Sequence, residues 1–336
     1  MAVKAPAATD EKLYRVALRE ALNEEMERDD SVYVIGEDIG KFGGAYRVTE
    51  GLLDRFGPQR VVDAPIAEEV IVGCAIGSAM LGLRPVVEMM TVNFSLVAFD
   101  QIVQSAAKIR YMFGGQATVP LVIRMPGGAG HQLSAQHSHS FEALYGMIPG
   151  LLVVAPTTPE DAKGLLKSSI RTPNPVMFLE SMSLYNMKGE VPEQEYLTPI
   201  GKAALRREGK DLTIVGVSRQ AVLAQLAAQK LEEEDVDVEV IDLRTIRPID
   251  WQPIVDSVKK TNRLLVVEEG WPTYGVSAEI AAGIQLRAFD YLDGPIERIG
   301  GAEVPMPYNQ QLEKLAIPSS DDIIRKALEM VGRGRG

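Results

Sequence analysis

The stretch Arg60-Val-Val-Asp63-Ala-Pro-Ile-Ala-Glu68-Glu69-Val-Ile-Val-Gly73-Cys74-Ala-Ile-Gly77-Ser-Ala-Met-Leu81-Gly82-Leu-Arg-Pro85-Val-Val-Glu88 spells out strand, helix, strand. Its ends, Arg60–Val62 and Pro85–Glu88, are short β-branched runs of the kind that pack inside a sheet. Between them Glu68–Leu81 predicts a Gly/Ala-rich helix with two acids in the first turn. Two strands joined through a helix of this length run parallel, because a hairpin needs no such crossover.

The same alternation extends outward in both directions. Strands are predicted at Val32–Ile35, Leu121–Arg124, Leu151–Val154 and Val176–Leu179. Apart from charges at some ends these runs are continuously apolar, as strands covered on both faces must be. Helices are predicted at Phe99–Met112 and Pro159–Ile170. Near the start, Asp10 is placed to cap a helix that presents Leu13, Val16, Ala17, Ala21 and Leu22 on one face. The polar segment Asn186–Pro199, with two prolines and a glycine, reads as a linker. Beyond it come strands Leu212–Val217, Val238–Leu243 and Leu264–Val267. Helices follow at Ala221–Glu232, Ile254–Lys259, Ser277–Leu292 and Asp321–Met330. The expected fold is α/β, with a first domain over 1–190 and a second over 191–336, each a mostly parallel sheet with helices on both faces.

Bulk properties narrow the function. Of 336 residues, 46% are hydrophobic and 24% charged, an ordinary globular composition. A formal net charge of -11 argues against a nucleic-acid partner, which needs a basic surface. The longest strongly apolar run free of charge and proline, Val70–Leu83, is too short for a membrane helix, so no membrane partner is expected. Residues Met1–Ala8 show neither a signal core nor an Arg-rich amphipathic pattern, and the Gly-Arg-Gly-Arg-Gly tail from Gly332 reads as a frayed end. A soluble cytoplasmic protein is the expectation, with a mitochondrial or plastid origin after transit-peptide removal as the alternative. Cys74 is the only cysteine, so no disulfide forms within one chain. Its small neighbours predict a buried packing role.

All three histidines fall in one window, Gly127-Gly-Ala-Gly-His131-Gln-Leu-Ser-Ala-Gln-His137-Ser-His139-Ser-Phe-Glu142. The window follows a buried strand, at the end where open α/β sheets gather their active-site loops. By spacing alone the histidines are equally exposed loop polars. A zinc site lacks a cysteine or acidic cluster nearby, and no Gly-Lys-Ser/Thr follows to make a phosphate loop. Glu68 and Glu69, on position alone, are acids complementing a helix dipole. Gly73, Ala75, Gly77 and Ala79 allow that helix to approach a neighbour closely, inside the chain or across a subunit interface.

Longer motifs are more specific. Gly36-Glu-Asp-Ile-Gly40, Gly43-Gly-Ala-Tyr-Arg-Val-Thr-Glu-Gly51, Asp63-Ala-Pro-Ile-Ala-Glu68 and Asn93-Phe-Ser-Leu-Val-Ala-Phe-Asp-Gln-Ile102 occur in this order. Then come Gln136-His-Ser-His-Ser-Phe-Glu142, Pro199-Ile-Gly-Lys-Ala203, Gly270-Trp-Pro-Thr-Tyr-Gly-Val276 and Val304-Pro-Met-Pro-Tyr308. Over nearly the whole chain this resembles the beta subunits of 2-oxo acid dehydrogenases, the transketolase-like decarboxylase components of the large dehydrogenase complexes.

The resemblance implies a thiamine diphosphate cofactor shared with an alpha subunit in an α2β2 heterotetramer. It implies that alpha holds the diphosphate and Mg2+ through a Gly-Asp-Gly motif, which this sequence lacks. Glu68 would hydrogen-bond the aminopyrimidine ring nitrogen, a bond that must strengthen as that nitrogen gains a proton. Phe94 would pack on the pyrimidine, and Glu37 would lie near the cofactor or interface. His137 would serve acyl transfer to the lipoyl domains of a dihydrolipoyl acyltransferase core. His139 stands where the family often has glutamine. Leu121, Ser169, Ile170, Thr172 and Asn174 match positions that hold a structural potassium ion, with Thr172 replacing a common acid. Pyruvate is the expected substrate, because the Gly270 and Val304 motifs are most similar to the family's pyruvate-using members. Branched-chain 2-oxo acid or acetoin enzymes are alternatives, a split aldehyde-transferring transketolase is a second enzymatic rival, and a noncatalytic assembly subunit is the alternative of another class.

Overall fold

The computed structural model describes residues 8–333. The reading of the amino terminus therefore lies, except for Ala8, outside the described residues, as do the last three residues of the glycine-rich tail. In chain order the strands are β1 (Thr9–Leu13), β2 (Val32–Gly36), β3 (Val61–Asp63), β4 (Arg84–Glu88), β5 (Val122–Gly127), β6 (Leu152–Val154) and β7 (Val176–Ser181). They continue as β8 (Lys188–Pro192), β9 (Ala204–Arg207), β10 (Leu212–Gly216), β11 (Val238–Asp242), β12 (Thr245–Arg247), β13 (Leu264–Val267) and β14 (Glu297–Ile299).

One seven-stranded sheet has the order β12-β6-β7-β5-β4-β2-β3 and is parallel except for β12. A five-stranded sheet has the order β14-β13-β10-β11-β9, parallel except for β9. The chain leaves β2 toward β3 on one side and returns to β4 on the other. That reversal opens a crevice at the carboxyl ends of β2 and β4, the place where open α/β sheets bind ligands.

Successive strand residues point to opposite faces, and both faces are dry. Val86, Val122 and Phe178 pack against Tyr14, Leu18 and Leu22 of the helix Tyr14–Arg28. Val87, Ile123 and Met177 pack on the other face with Ile71 and Ala75 of the helix Glu68–Met80. This second core runs on without a break into Val215, Ile241 and Val266 of the five-stranded sheet. The two sheets thus share one apolar core. The outer face of the smaller sheet is closed by the helices Arg219–Glu232 and Ser320–Met330.

Three expectations are corrected. Asp10 caps no helix: Thr9–Leu13 is β1, paired antiparallel with β8, and the helix starts at Tyr14. The same pairing makes part of the Asn186–Pro199 linker a strand. Both segments are largely polar and only partly buried, so they lack the apolar signal of a strand, and their ladder is long-range. Phe99–Met112 is not one helix but a π-helical turn, Gln101–Ala106, followed by a short helix, Ile109–Met112. No described helix is long and apolar enough to cross a membrane.

Candidate active site

The carboxyl edge of the large sheet collects the charged groups. Glu37 follows β2, Glu68 begins the helix after β3, Glu88 ends β4, and Glu180 lies near the end of β7. Phe94 sits in the 3-10 turn Val92–Leu96 after β4, and His137 in the turn Ala135–His137 after β5. The glycine motifs hold this edge together. Gly40 donates its N–H to Asp63 Oδ1 at 2.7 Å, and a Cβ on Gly40 would meet that carboxylate at 2.4 Å. Gly44 takes φ +78, and a Cβ there would lie 2.8 Å from Glu88 Oε1.

Glu37 and Glu68 are 9% and 8% exposed, and neither has an ion-pair partner among the described residues. Glu37 Oε1 is buried with no hydrogen-bond partner. Burial first, then the charges of Glu68 and Asp38, push the Glu37 carboxyl above its ordinary value. A buried carboxylate oxygen of Glu37 left without a protein partner beside Glu68 is an unusual use of buried polarity, and it suits a ligand that brings its own hydrogen-bond donors. An aminopyrimidine is such a ligand. The residues present therefore fit the pyrimidine half of thiamine diphosphate.

Next to this pair lies a network that sequence reading missed. Arg124 is fully buried and reaches Glu88 Oε2 at 2.5 Å and Glu180 at 2.8 Å, while the Tyr185 hydroxyl donates to Glu180 Oε2 at 2.6 Å. Two carboxylates share one guanidinium. Burial, with Glu180 adding to it, pushes Glu88 up against the pull of Arg124. Each of these groups is a charge inside or at the end of an apolar strand, and that interruption was the available signal.

The structure brings Phe94 and His137 together, edge to face with ring centroids 5.3 Å apart. Their loop is pinned from the second half of the chain. Glu269 Oε1 accepts the Ala129 N–H at 2.7 Å, and Glu313 Oε1 accepts those of Gly130 and Gln132 at 2.9 and 3.1 Å. Within the same loop Gln132 and Ser134 take φ 54 and 67, a strained region for residues with side chains. His131 is exposed, so the three histidines do not form one cluster.

The positions matched to potassium lie at the opposite, amino edge of the sheet. The carbonyls of Ile170 and Thr172 already accept bonds from Arg84 Nη1, at 2.8 and 3.3 Å. The Leu121 carbonyl accepts the Val176 N–H at 2.8 Å. Ser169 Oγ donates to the Leu165 carbonyl at 2.7 Å, and Asn174 Oδ1 accepts from Arg110 at 3.1 Å. Cys74 is corrected as well: it is exposed. The buried face of its helix is Ile71, Val72, Ala75, Ile76 and Ala79, while Val70 is 60% exposed and Leu81, just beyond its end, 88%. A helix rich in small apolar residues all round carries too little periodicity to say which side faces inward.

Residues 10–188 match the family described as transketolase, pyrimidine binding domain, and residues 201–323 match transketolase, C-terminal domain. A protein of Rickettsia felis named pyruvate dehydrogenase E1 component subunit beta is 54% identical over 92% of this chain and 95% of its own length. A mitochondrial one from rice, subunit beta-2, is 50% identical over 96% of this chain and 86% of its own. Among solved structures, a split-gene transketolase described as an inactive beta4 tetramer superposes with a TM-score of 0.80, at 21% identity, over 96% of this chain and 99% of that one. With its two transketolase-type domains and this degree of identity, the chain belongs to the family of pyruvate dehydrogenase E1 component beta subunits.

Proposed function

We propose that this chain is the pyrimidine-binding half of a thiamine-diphosphate-dependent pyruvate dehydrogenase (acetyl-transferring). It would work only with an alpha subunit, in an α2β2 assembly that passes acetyl groups to the lipoyl domains of an acyltransferase core. The observation that carries this is the Glu37–Glu68 pair, buried at the crevice between β2 and β4 with one carboxylate oxygen unpartnered. Family membership supports the reading.

In this proposal Glu68 accepts a hydrogen bond from the pyrimidine ring nitrogen and holds a proton there, and Glu37 lies beside it. Phe94 supplies an apolar wall, and His137 against it moves a proton at the mouth of the site. The cofactor, when bound, supplies the electron sink for decarboxylation. Mg2+ would belong to alpha, since no Gly-Asp-Gly occurs here. Potassium would sit on the carbonyls of Leu121, Ser169, Ile170 and Thr172 with Asn174, but Arg84 already brings a positive charge to that helix end. We therefore expect exchange of K+ for Na+ to move thermal stability by less than about 1 kcal/mol.

We further propose a division into a pyrimidine-binding domain, 1–190, and a C-terminal domain, 191–336, and a cytoplasmic location in a bacterium or the matrix of a mitochondrion. The relatives include bacterial and mitochondrial proteins. The test of the site is Glu68→Gln in the reconstituted enzyme. Turnover should fall by roughly 10²–10³-fold while assembly is unchanged. Turnover within about threefold of the parent would remove Glu68 from its role and favour an assembly subunit.

A further inference from the structure

The loop carrying His137 contains a second imidazole, His139, that the reaction above does not use. Its ring stacks on Phe141 (centroids 4.8 Å apart, planes within 16°) and meets Trp271 edge-on at 5.7 Å. Its Nδ1 lies in hydrogen-bond contact with the side-chain amide nitrogen of Asn93. Its carbonyl accepts the Gly128 N–H at 2.9 Å, which closes the base of the loop. Asn93 directly precedes Phe94, the ring against which His137 rests. One side chain thus joins three pieces: the turn Val92–Leu96, the loop after β5, and the Trp271 segment of the C-terminal half.

The chemistry of the Asn93 contact depends on protonation. With the amide nitrogen of Asn93 against Nδ1, an N–H donates only when that nitrogen carries a lone pair, that is, when the ring is neutral with its hydrogen on Nε2. A second proton turns Nδ1 into a donor, and the contact then requires the Asn93 amide to turn over. The charged and titratable groups that line a small cavity with His139 are Glu142, Glu269, Glu180 and Arg219. Burial decides, lowering the His139 pKa below the ordinary imidazole value.

We propose that His139 is a positioning residue: as a neutral acceptor for Asn93 it fixes the Phe94–His137 pair and makes acyl transfer, rather than decarboxylation, sensitive to its protonation. The inference rests on the role given to His137 above. In the reconstituted enzyme, the ratio of lipoyl-domain acylation to dye-linked decarboxylation is measured from about pH 5.5 to 8, around the unperturbed imidazole value. His139→Leu, which keeps apolar bulk and loses the acceptor, should lower that ratio about tenfold at the alkaline end and converge on the parent as the parent's own ring gains its proton. His139→Gln, which offers an amide oxygen at all pH values, should keep the ratio near the parent value at the alkaline end and remove one inflection at the acidic end.

An unchanged ratio in His139→Leu, equal loss in both assays, or a parent-like inflection in His139→Gln would each overturn the proposal. A second readout is independent of activity. The full chain has three histidines, so ¹³C-histidine labelling gives three ring signals, and His139→Gln removes one of them. That signal should titrate below about pH 6.5 and shift in Asn93→Ala. If it does neither, the contact is absent and the proposal falls. If it does both while His137→Ala leaves the acylation ratio intact, the role of His137 fails and the Asn93–His139 contact stands.

Discussion

Glu68 and Arg124 show opposite ways of keeping charge inside a protein. Glu68 is left without a protein cation, at a position where a ligand can complete it. Arg124 lies between its own ion-pair partners, Glu88 and Glu180. Removing Arg124 strands two buried carboxylates, so Arg124→Leu should cost about 3–5 kcal/mol, read as a lowered urea midpoint of the chain. A loss below about 1 kcal/mol would mean that water reaches the network. Glu68→Gln, by contrast, should leave that midpoint nearly unchanged while turnover falls by roughly 10²–10³-fold. At this scale motifs singled out Glu37, Glu68, Phe94 and His137, and the structure puts all four in segments that follow strands of the large sheet. The sequence was silent on Glu88, Arg124 and Glu180, because a charge at a strand end reads equally as a solvated cap. Cys74 was misplaced for a related reason: an all-apolar helix hides its inner face.

At the scale of elements, the loop after β5 and the short helix Glu142–Gly146 form the joint between the two sheets. Glu142 starts that helix partly buried, and its carboxyl is pushed up to about 7, chiefly by burial and then by Glu269 and Glu268. Its folded value thus lies above the unfolded value near 4.5. The folded chain holds the extra proton between these values, so stability falls as pH rises through that window. Glu142→Gln should therefore stabilise the chain by about 1–3 kcal/mol at pH 8 and hardly at all at pH 5. An equal effect at both values would show that Glu142 is ionised throughout. Most elements were legible because a buried parallel strand and an amphipathic helix carry strong local signals, as in β2, β13 and the helix Ser320–Met330 with its Ser319/Asp322 capping box. Strands β1, β8, β9, β12 and β14 were not. They are short or edge strands whose existence depends on a distant partner, and pairing of that kind leaves little trace in local periodicity.

For the whole molecule, the exposed apolar side of the Glu68 helix is the feature that an isolated chain does not explain. Ile66, Val70 and Leu81 are 82%, 60% and 88% exposed around Cys74. A patch of this kind beside the site suits a covering subunit. As the only cysteine, Cys74 reports on it directly. Maleimide should label it readily in the isolated chain and at least about tenfold more slowly in the complex with alpha; equal rates would place the partner elsewhere. The continuous core between the sheets, with β12 reaching back to β6, means that this half-enzyme should unfold as one unit.

The central claim is that two chains make one active site, and co-expression with the cognate alpha subunit tests it most directly. Thiamine-dependent oxidation of pyruvate, followed with an artificial electron acceptor, should appear only when both chains are present and vanish when either is omitted. A stable, cofactor-loaded complex that leaves pyruvate untouched would contradict the account.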